Sequence, residues 1–522
     1  MGNLHGIGGP APRTLRFRAA ATSVLLSLLF LIVYGSTNWF TAQRPDADVR
    51  TWYFSWERTV VPYVPLLFVP YMSIDLFFFL AAFLCRDERE LRVFARRVVF
   101  SILAAAAFFL LLPLKLAWPE RPRVGGWFGD LVEASSTAPL LMEYPHNLFP
   151  SLHVALCMLL ADLYVRHTRG IVRVLAHIWF GLIAVSTILT WQHHLVDLAG
   201  GFLLAAFAFH IFRESDARHP VVANFRIGSY YAAGAAVVLI PARAIWPWGA
   251  FLLWPVASLG MVAAAYFGLG PGIFRKSDGR LPLSARLVLA PVLIGQYLSL
   301  VYYRRRCRAW DELAPGVLIG RRLGEADAAA AVQQGVTAVL DLTAEFSEAA
   351  PFRATTYLNL AVLDLTAPTQ EQLHEAARFI AEEAAKGTVY VHCKIGYSRS
   401  AAVAGAYLLA SQQAATVGEA VARLRKVRPS IVIRSEAMKA LRNFAIGEHF
   451  TIRRHREYDL ASVRHPVSDV TDARNERCSQ EVRTPSPRAF VELHPPLKVR
   501  SCQHALDNPP LAQPERPAER VG

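Results

Sequence analysis

The stretch Val391-His392-Cys393-Lys394-Ile395-Gly396-Tyr397-Ser398-Arg399-Ser400 follows the β-branched run Thr388-Val389-Tyr390 and precedes the alanine-rich segment 401–407. A strand therefore ends in a tight loop that opens a helix. That geometry aims loop N–H groups and a helix N-terminus at one point, a place suited to an anion. The same field favours thiolate over thiol at Cys393, making it a nucleophile at neutral pH. Arg399 sits six residues on, at the helix mouth, and can fork onto two phosphate oxygens. Ser400 offers a hydroxyl that can steady the departing thiolate. Phosphate-ester hydrolysis through a cysteinyl-phosphate fits this order of residues. The plainer alternative for a lone cysteine is a small buried hydrophobe, which leaves the Cys-x5-Arg spacing, the glycine and the helix unexplained.

With its His-Cys-x2-Gly-x2-Arg-Ser order, the stretch resembles the Cys-based dual-specificity phosphatase family, over roughly residues 310–450. The resemblance implies Cys393 as nucleophile, Arg399 as phosphate binder, and Lys394 and Gly396 as neighbours of the substrate phosphate. Such chemistry needs a proton donor for the leaving oxygen. The family places it in the loop after a strand like 357–363, where Asp364 matches; Asp341 is the rival, its plainer reading a strand-end cap. The Cys393-Lys394 opening resembles lipid-directed members, such as phosphatidylglycerophosphate and phosphoinositide phosphatases. Gly396–Ser400 equally resembles protein-directed ones.

The chain of 522 residues is 53% hydrophobic and carries a net charge of +14. A mean hydropathy of +0.28 is too apolar for an ordinary soluble protein. The arginines sit beside apolar segments and in the tail, a footprint of membrane orientation and anionic headgroups rather than of nucleic acid. Cysteines 85, 157, 307, 393, 478 and 502 lack paired spacing, so no disulfide framework and no metal or other cofactor is expected.

Apolar runs near 19–36, 61–84, 98–117, 149–165, 174–192, 195–212, 228–246 and 249–269 are long enough to span a bilayer. The first has basic flanks, yet Tyr34, Trp39 and Phe40 form an interfacial belt where a signal peptide would be cleaved, so an uncleaved span is expected. Arginines at 13–18, 86–97, 166–173 and 213–226 then belong on the cytoplasmic side, and the loops near 118–148 and His193 on the other.

Those two outward loops carry a second constellation. Pro150-Ser151-Leu152-His153 opens one span, and His193-His194-Leu195-Val196-Asp197 links two others. At helical spacing His193 and Asp197 share a face, so the carboxylate can fix the imidazole's tautomer. An oriented imidazole can attack phosphorus, and His153 can protonate the leaving oxygen. A lone interfacial histidine is more often a packing or headgroup contact, but polar groups at a membrane boundary in this combination point to use. The pattern resembles the type 2 phosphatidic acid phosphatase superfamily over roughly residues 60–215, especially the branch of inositol phosphorylceramide and sphingomyelin synthases. That resemblance implies His193 as nucleophile, His153 as acid, Asp197 as orienting group and Ser151 as a substrate contact. Three departures qualify it: Thr187 stands where the phosphatases have arginine, Lys115 and Arg121-Pro122 are one residue closer than in the first motif, and His194 competes with His193. Lys115 and Arg121 can still clamp phosphate. Hydrolysis, transfer of a headgroup between lipids, and binding without turnover all stay open.

Gly270–Arg308 changes character, and the apolar stretch Leu287–Tyr303, with Pro291 and Gly295 inside, is marginal as a span. If it does not cross, the Cys393 domain is cytoplasmic and its thiol stays reduced; if it crosses, both sites face outward. Eight spans are expected. Strands at 317–319 and 336–342, with helices at 326–334, 369–386, 417–427 and 435–444, then alternate as in an α/β sandwich. After about residue 455 the composition reads as disorder. The expected whole is a multidomain chain: an all-α polytopic membrane bundle (1–303), an α/β dual-specificity phosphatase-like domain (304–455) and a disordered tail (456–522). Its substrate is expected to be a phospholipid or another phosphorylated molecule. The joined arrangement resembles bacterial proteins of an inner membrane. A membrane-tethered protein phosphatase, or a lipid-binding scaffold with two decayed sites, remains open.

Overall fold

The structure, a computed structural model, describes residues 13–45, 49–117, 122, 125–130, 146–213 and 221–447. The tail expected to be disordered, and Arg121, lie outside the described residues.

The N-terminal region is helical: α1 (Arg13–Ala42), α2 (Phe68–Ala81), α3 (Glu88–Leu111), α4 (Leu152–His167), α5 (Gly170–Leu189), α6 (Leu195–Ile211), α7 (Phe225–Ala244), α8 (Leu253–Ala264) and α9 (Ala290–Arg304). Among the described residues six helical stretches are long and apolar enough to cross a membrane: 13–42, 65–84, 88–111, 170–189, 225–244 and 248–269. The spans expected at 149–165 and 195–212 form as α4 and α6, but with 16 and 17 residues they are shorter. They reach only about 25 Å, against a hydrocarbon core about 30 Å thick. Burial explains how they are tolerated. Leu152, Ala155, Leu159 and Leu163 of α4 and Leu204, Ala205 and Ala208 of α6 share one core cluster with α1, α2 and α3. A side chain on Gly201 would meet the Ser151 carbonyl at 2.5 Å, so glycine is what lets α6 approach the start of α4. The marginal stretch 287–303 breaks at Leu289, leaving α9 with 15 residues.

The bundle has two unlike ends. At one, Arg18 pairs with Glu88, Arg97 with Asp162, and Arg166 and His167 with Glu90. There too Arg97 and Arg275 donate to carbonyls of Phe212 and Ile211, where α6 stops. The other end is aromatic, with Trp52 against Phe149 and Trp248, and Trp191 against Tyr63.

The C-terminal region is a five-stranded sheet in the order β1-β2-β5-β3-β4, with strands Trp310–Ala314, Val317–Arg321, Val336–Thr343, Thr356–Val362 and Thr388–Cys393 for β1 to β5. Only β1 runs antiparallel to its neighbour. Alternation along the strands feeds two layers. Leu340, Leu342, Val389 and Val391 meet α11 (Gln370–Ala384), α12 (Arg399–Ala410) and α13 (Val417–Val427) on one face. Val339 and Tyr390 meet α10 (Glu325–Gln333) and Phe352 on the other. Thr369 caps α11 by accepting from the Gln372 N–H, as its position before a helical run suggests. A helix at 435–447 closes the layer.

This domain sits at the basic end of the bundle. Ala344, Ala361 and Leu363 pack with Ala206 of α6, Val262 of α8, Tyr266, Phe274 and Val292. Lys276, from the connecting segment, enters the domain and donates to Asp341 and to the carbonyl and hydroxyl of Thr343.

Candidate active site

The loop after β5 curls around the Cys393 sulfur. The Gly396 N–H donates to Sγ at 3.3 Å, and the Ser400 hydroxyl lies 3.4 Å from it. Gly396 has φ +80°, and a Cβ there would lie 2.6 Å from the Gly320 carbonyl, so the loop can turn this tightly only with glycine. The buried Arg428 clamps the loop from outside, donating to the Gly396 and Ile395 carbonyls and pairing with Asp311 at 2.6 Å. Burial alone would raise the Cys393 thiol. The Arg399 guanidinium, the Ser400 hydroxyl and the Ser400 and Gly396 N–H groups outweigh it and hold the thiol below its ordinary range.

Arg399, fully buried at the start of α12, is gripped on both edges. Glu345 takes it in a bidentate pair at 2.7 and 3.0 Å, the Val362 carbonyl accepts at 2.8 Å, and Asp364 at 3.2 Å. Asp364 also accepts from Lys394 at 2.5 Å. Burial pushes the Asp364 carboxyl up, but Arg399 and Lys394 prevail and hold it below its usual range. Cys393, Lys394, Arg399 and Asp364 line one cavity of about 660 Å³.

Asp341 does not line that cavity. It lies buried beneath the loop, bound by Lys276, the Tyr357 hydroxyl and the Thr343 N–H. His392, next to the nucleophile, stands 3.2 Å from Glu348 and 3.9 Å from Asp341. Burial would lower this imidazole, yet the Glu348 and Asp341 carboxylates carry it above 6.5. Asp341, Glu348 and His392 are the cluster with metal-like spacing among the described residues. The Lys276 ammonium already neutralises Asp341 from inside the domain, which disfavours a cation there.

The second constellation lies at the aromatic end of the bundle. His193 Nδ1 is 3.4 Å from Asp197, whose Oδ2 accepts from the His194 N–H at 2.9 Å. His153 stacks on Tyr71 at 4.2 Å and is near enough to His193 for their charges to interact. Its Nε2 is buried with no hydrogen-bond partner. His194 is committed elsewhere: Nδ1 faces Glu57 at 3.1 Å and Nε2 accepts from the Ala117 N–H. That leaves His193 as the imidazole facing Asp197, 3.4 Å away and without a hydrogen bond in this geometry. The Ser151 hydroxyl accepts from the Val154 N–H as the cap of α4, which leaves its own O–H as a donor. Thr187 is buried and donates to the Ala184 carbonyl.

Sequence reasoning did not find Glu345, Arg428 or the bundle residues at the Cys393 cavity. Glu345 had a signal: it lies just past the carboxyl end of β3, beside the central strand, where open α/β sheets build their sites. Arg428 and the bundle residues had none.

Comparison with known proteins bears on both regions. The family model for the dual specificity phosphatase catalytic domain matches residues 323–446, and that for the PAP2 superfamily matches 27–211. The chain carries a PAP2-superfamily domain followed by a dual specificity phosphatase catalytic domain. The phosphatase domain is similar to phosphatidylglycerophosphatase and protein-tyrosine phosphatase 1 of Mus musculus, 38% identical over 89 residues, or 17% of this chain and 46% of the relative. It is also similar to phosphatidylglycerophosphate phosphatase PTPMT1 of Arabidopsis thaliana, 29% identical over 141 residues, or 26% of this chain and 42% of that one. The chain thus spans under half the length of these relatives. The crystal structure of PTPMT1 aligns with 28% of this chain and 99% of its own, at 25% identity and a TM-score of 0.26.

Proposed function

We propose that this protein is an integral membrane phosphatase that hydrolyses the phosphate monoester of a phospholipid through a cysteinyl-phosphate at Cys393. The thiolate attacks phosphorus, forming the S–P bond as the P–O bond to the lipid alcohol breaks. Arg399 forks onto the phosphoryl oxygens, and Asp364 gives its proton to the leaving oxygen. Water then attacks phosphorus, Asp364 takes the water's proton, and the S–P bond returns its electrons to sulfur, steadied by the Ser400 hydroxyl. Both cations lean on Asp364 in this structure. A phosphate dianion draws them away and adds negative charge beside the carboxyl, which raises its proton affinity and favours the acid form that the first step needs.

The observation that carries this reading is the company Cys393 keeps. Its cavity is lined on the other side by Tyr231, Leu259, Pro291 and Val292 from apolar helices, a wall suited to a lipid more than to a polar peptide. Phosphatidylglycerophosphate is the first substrate to test, because the mouse and Arabidopsis relatives are named for it. A His-dependent phosphatase or phosphotransferase activity at His193, with His153 as acid, is the second part of the proposal, supported by the unpartnered His153 Nε2 beside the His193–Asp197 pair. Division at 303/304 and 455/456 goes with it. So does a plasma (inner) membrane location with Cys393 on the cytoplasmic side, supported by the arginines gathered at that end of the bundle.

Purified full-length protein in lipid vesicles, assayed for phosphate release from phosphatidylglycerophosphate, phosphatidic acid and a phosphotyrosine peptide, tests the reading. Cys393→Ser, made in a His193→Ala background, should abolish release from the first. Turnover of the peptide alone would overturn the lipid assignment, and a C-terminal reporter exposed on the outer face would overturn the orientation.

A further inference from the structure

Two successive carbonyls of the loop carrying Asp364 are held by side chains of the membrane bundle. Tyr266, just beyond α8, donates its hydroxyl to the Asp364 carbonyl at 2.7 Å. Asn224, the cap of α7, donates from Nδ2 to the Leu365 carbonyl at 3.1 Å, and its own N–H donates to Tyr266 O. Leu365 has φ +61°, a left-handed conformation that costs a leucine free energy and persists only where its surroundings impose it. From α9, Gln296 accepts from Lys394 Nζ at 2.8 Å and donates to the Tyr231 hydroxyl at 3.0 Å. Tyr231 in turn stacks on Tyr266, with ring centroids 5.5 Å apart and planes 13° from parallel. A closed circuit results: Asp364 carboxylate, Lys394, Gln296, Tyr231, Tyr266 and back to the Asp364 carbonyl.

We propose that Tyr266, Asn224 and Gln296 are positioning residues for the reaction at Cys393, so that the membrane bundle, and not the phosphatase domain alone, sets the geometry of proton transfer to the leaving oxygen. This rests on the assignment of Cys393 as nucleophile and Asp364 as acid. Each helix contributes differently. Tyr266 and Asn224 fix the two carbonyls on either side of the strained Leu365 backbone. Gln296 holds Lys394 at the cavity wall, and through it the direction in which the Asp364 carboxyl points.

The test exploits leaving-group chemistry. Protonation matters greatly for the alkoxide of a glycerol ester and little for p-nitrophenolate, which departs readily as the anion. Full-length Tyr266→Phe, Asn224→Ala and Gln296→Ala, with Asp364→Asn and Cys393→Ser beside them, are assayed in one vesicle preparation on phosphatidylglycerophosphate and on p-nitrophenyl phosphate. Each bundle variant should lose at least about tenfold more kcat on the lipid than on the aryl ester, a fraction of the range available to a general acid. Asp364→Asn should show the same selectivity more strongly. Equal losses on both substrates, or no loss, in the bundle variants while Asp364→Asn stays selective would overturn the positioning role and leave the Cys393 chemistry standing. Lipid turnover that survives Cys393→Ser in a His193→Ala background would instead overturn the chemistry itself. Because Tyr266→Phe and Asn224→Ala release neighbouring carbonyls from two different helices, agreement between them guards against a packing defect peculiar to one.

Discussion

Glu345→Gln tests whether Arg399 is held for phosphate by a buried ion pair. Both side chains are almost wholly buried, and both carboxylate oxygens are engaged, at 2.7 and 3.0 Å. Removing one partner of a buried pair outright costs about 3–5 kcal/mol. Glutamine keeps the shape and one acceptor, and Asp364 and the Leu342 and Val362 carbonyls still receive the guanidinium. The loss should therefore be smaller, about 1–3 kcal/mol, the cost of a charged hydrogen bond left unmade. For a domain of this size about 2 kcal/mol corresponds to a fall in Tm of roughly 4–8 °C. Activity should fall too, by about tenfold or more in kcat/KM, because a guanidinium free to tilt forks less well onto phosphate. The thiolate, by contrast, should persist, since the positive charge of Arg399 remains beside Cys393. Differential scanning of the full-length protein in detergent, with phosphate release and iodoacetamide trapping, reads all three. Wild-type Tm together with wild-type kcat/KM would refute the reasoning, because it would mean that Arg399 is held by its carbonyl partners alone.

Three further expectations follow from the same geometry. Iodoacetamide alkylation of Cys393 should reach its plateau at a pH below the ordinary thiol value of about 8.5, and Arg399→Ala should move the midpoint upward, because burial is then opposed only by the Ser400 hydroxyl and the Ser400 and Gly396 N–H groups; an unmoved midpoint would count against Arg399 as the cause. His392 is raised above 6.5 in the fold by Glu348 and Asp341, so its contribution to stability is complete below that pH and is lost as pH climbs through the raised value; melting curves between pH 6 and 9 should slope downward, and His392→Asn should remove that slope. His193→Ala and Asp197→Asn should each abolish turnover at the aromatic end of the bundle while leaving Cys393-dependent release within about twofold, and Ser151→Ala should lower stability by about 1 kcal/mol for a lost cap.

The fold class was legible because two periodicities are unmistakable: long apolar runs first, then alternation of short β-branched runs with alanine- and glutamate-rich helices. Where the reading fell short, the missing signal was non-local. Strand β1, Trp310–Ala314, carries Asp311, Glu312 and Ala314 and has little strand character by itself; it exists because β2 offers it an edge and Arg428 buries its Asp311. Helices α4 and α6 read as spans because their composition is apolar, but that composition reflects burial within the bundle as much as contact with lipid. Ser151 stands in a motif beside His153, and its hydroxyl also satisfies the Val154 N–H, a capping role the motif by itself does not show. Of Asp341 and Asp364, Asp364 is the one that lines the Cys393 cavity. Lys276, sixty-five residues earlier in the chain, is what marks Asp341 as structural, and no local pattern shows that.

The two constellations stand at opposite ends of α6. His193 and Asp197 lie at its beginning, and Ala206, near its other end, packs against the phosphatase domain. From Asp197 to Ala206 alone the helix rises about 14 Å, far more than the 3–3.5 Å or so at which reacting atoms must meet. A phosphoryl group therefore cannot pass between the His193 and Cys393 centres, and each must draw substrate from its own side of the bundle. If both act on lipids and the two ends of the bundle face opposite leaflets, a headgroup processed at one centre reaches the other only after the lipid itself has crossed. Tyr266 and Asn224 stand at the ends of α8 and α7, so a lipid that shifts either helix would also shift the side chains that hold the Asp364 and Leu365 carbonyls. Coupling through that contact would show as a change in Cys393-dependent kcat when a non-hydrolysable lipid is offered on the far leaflet alone. Its absence would mean that the two domains share a chain and a membrane but work independently.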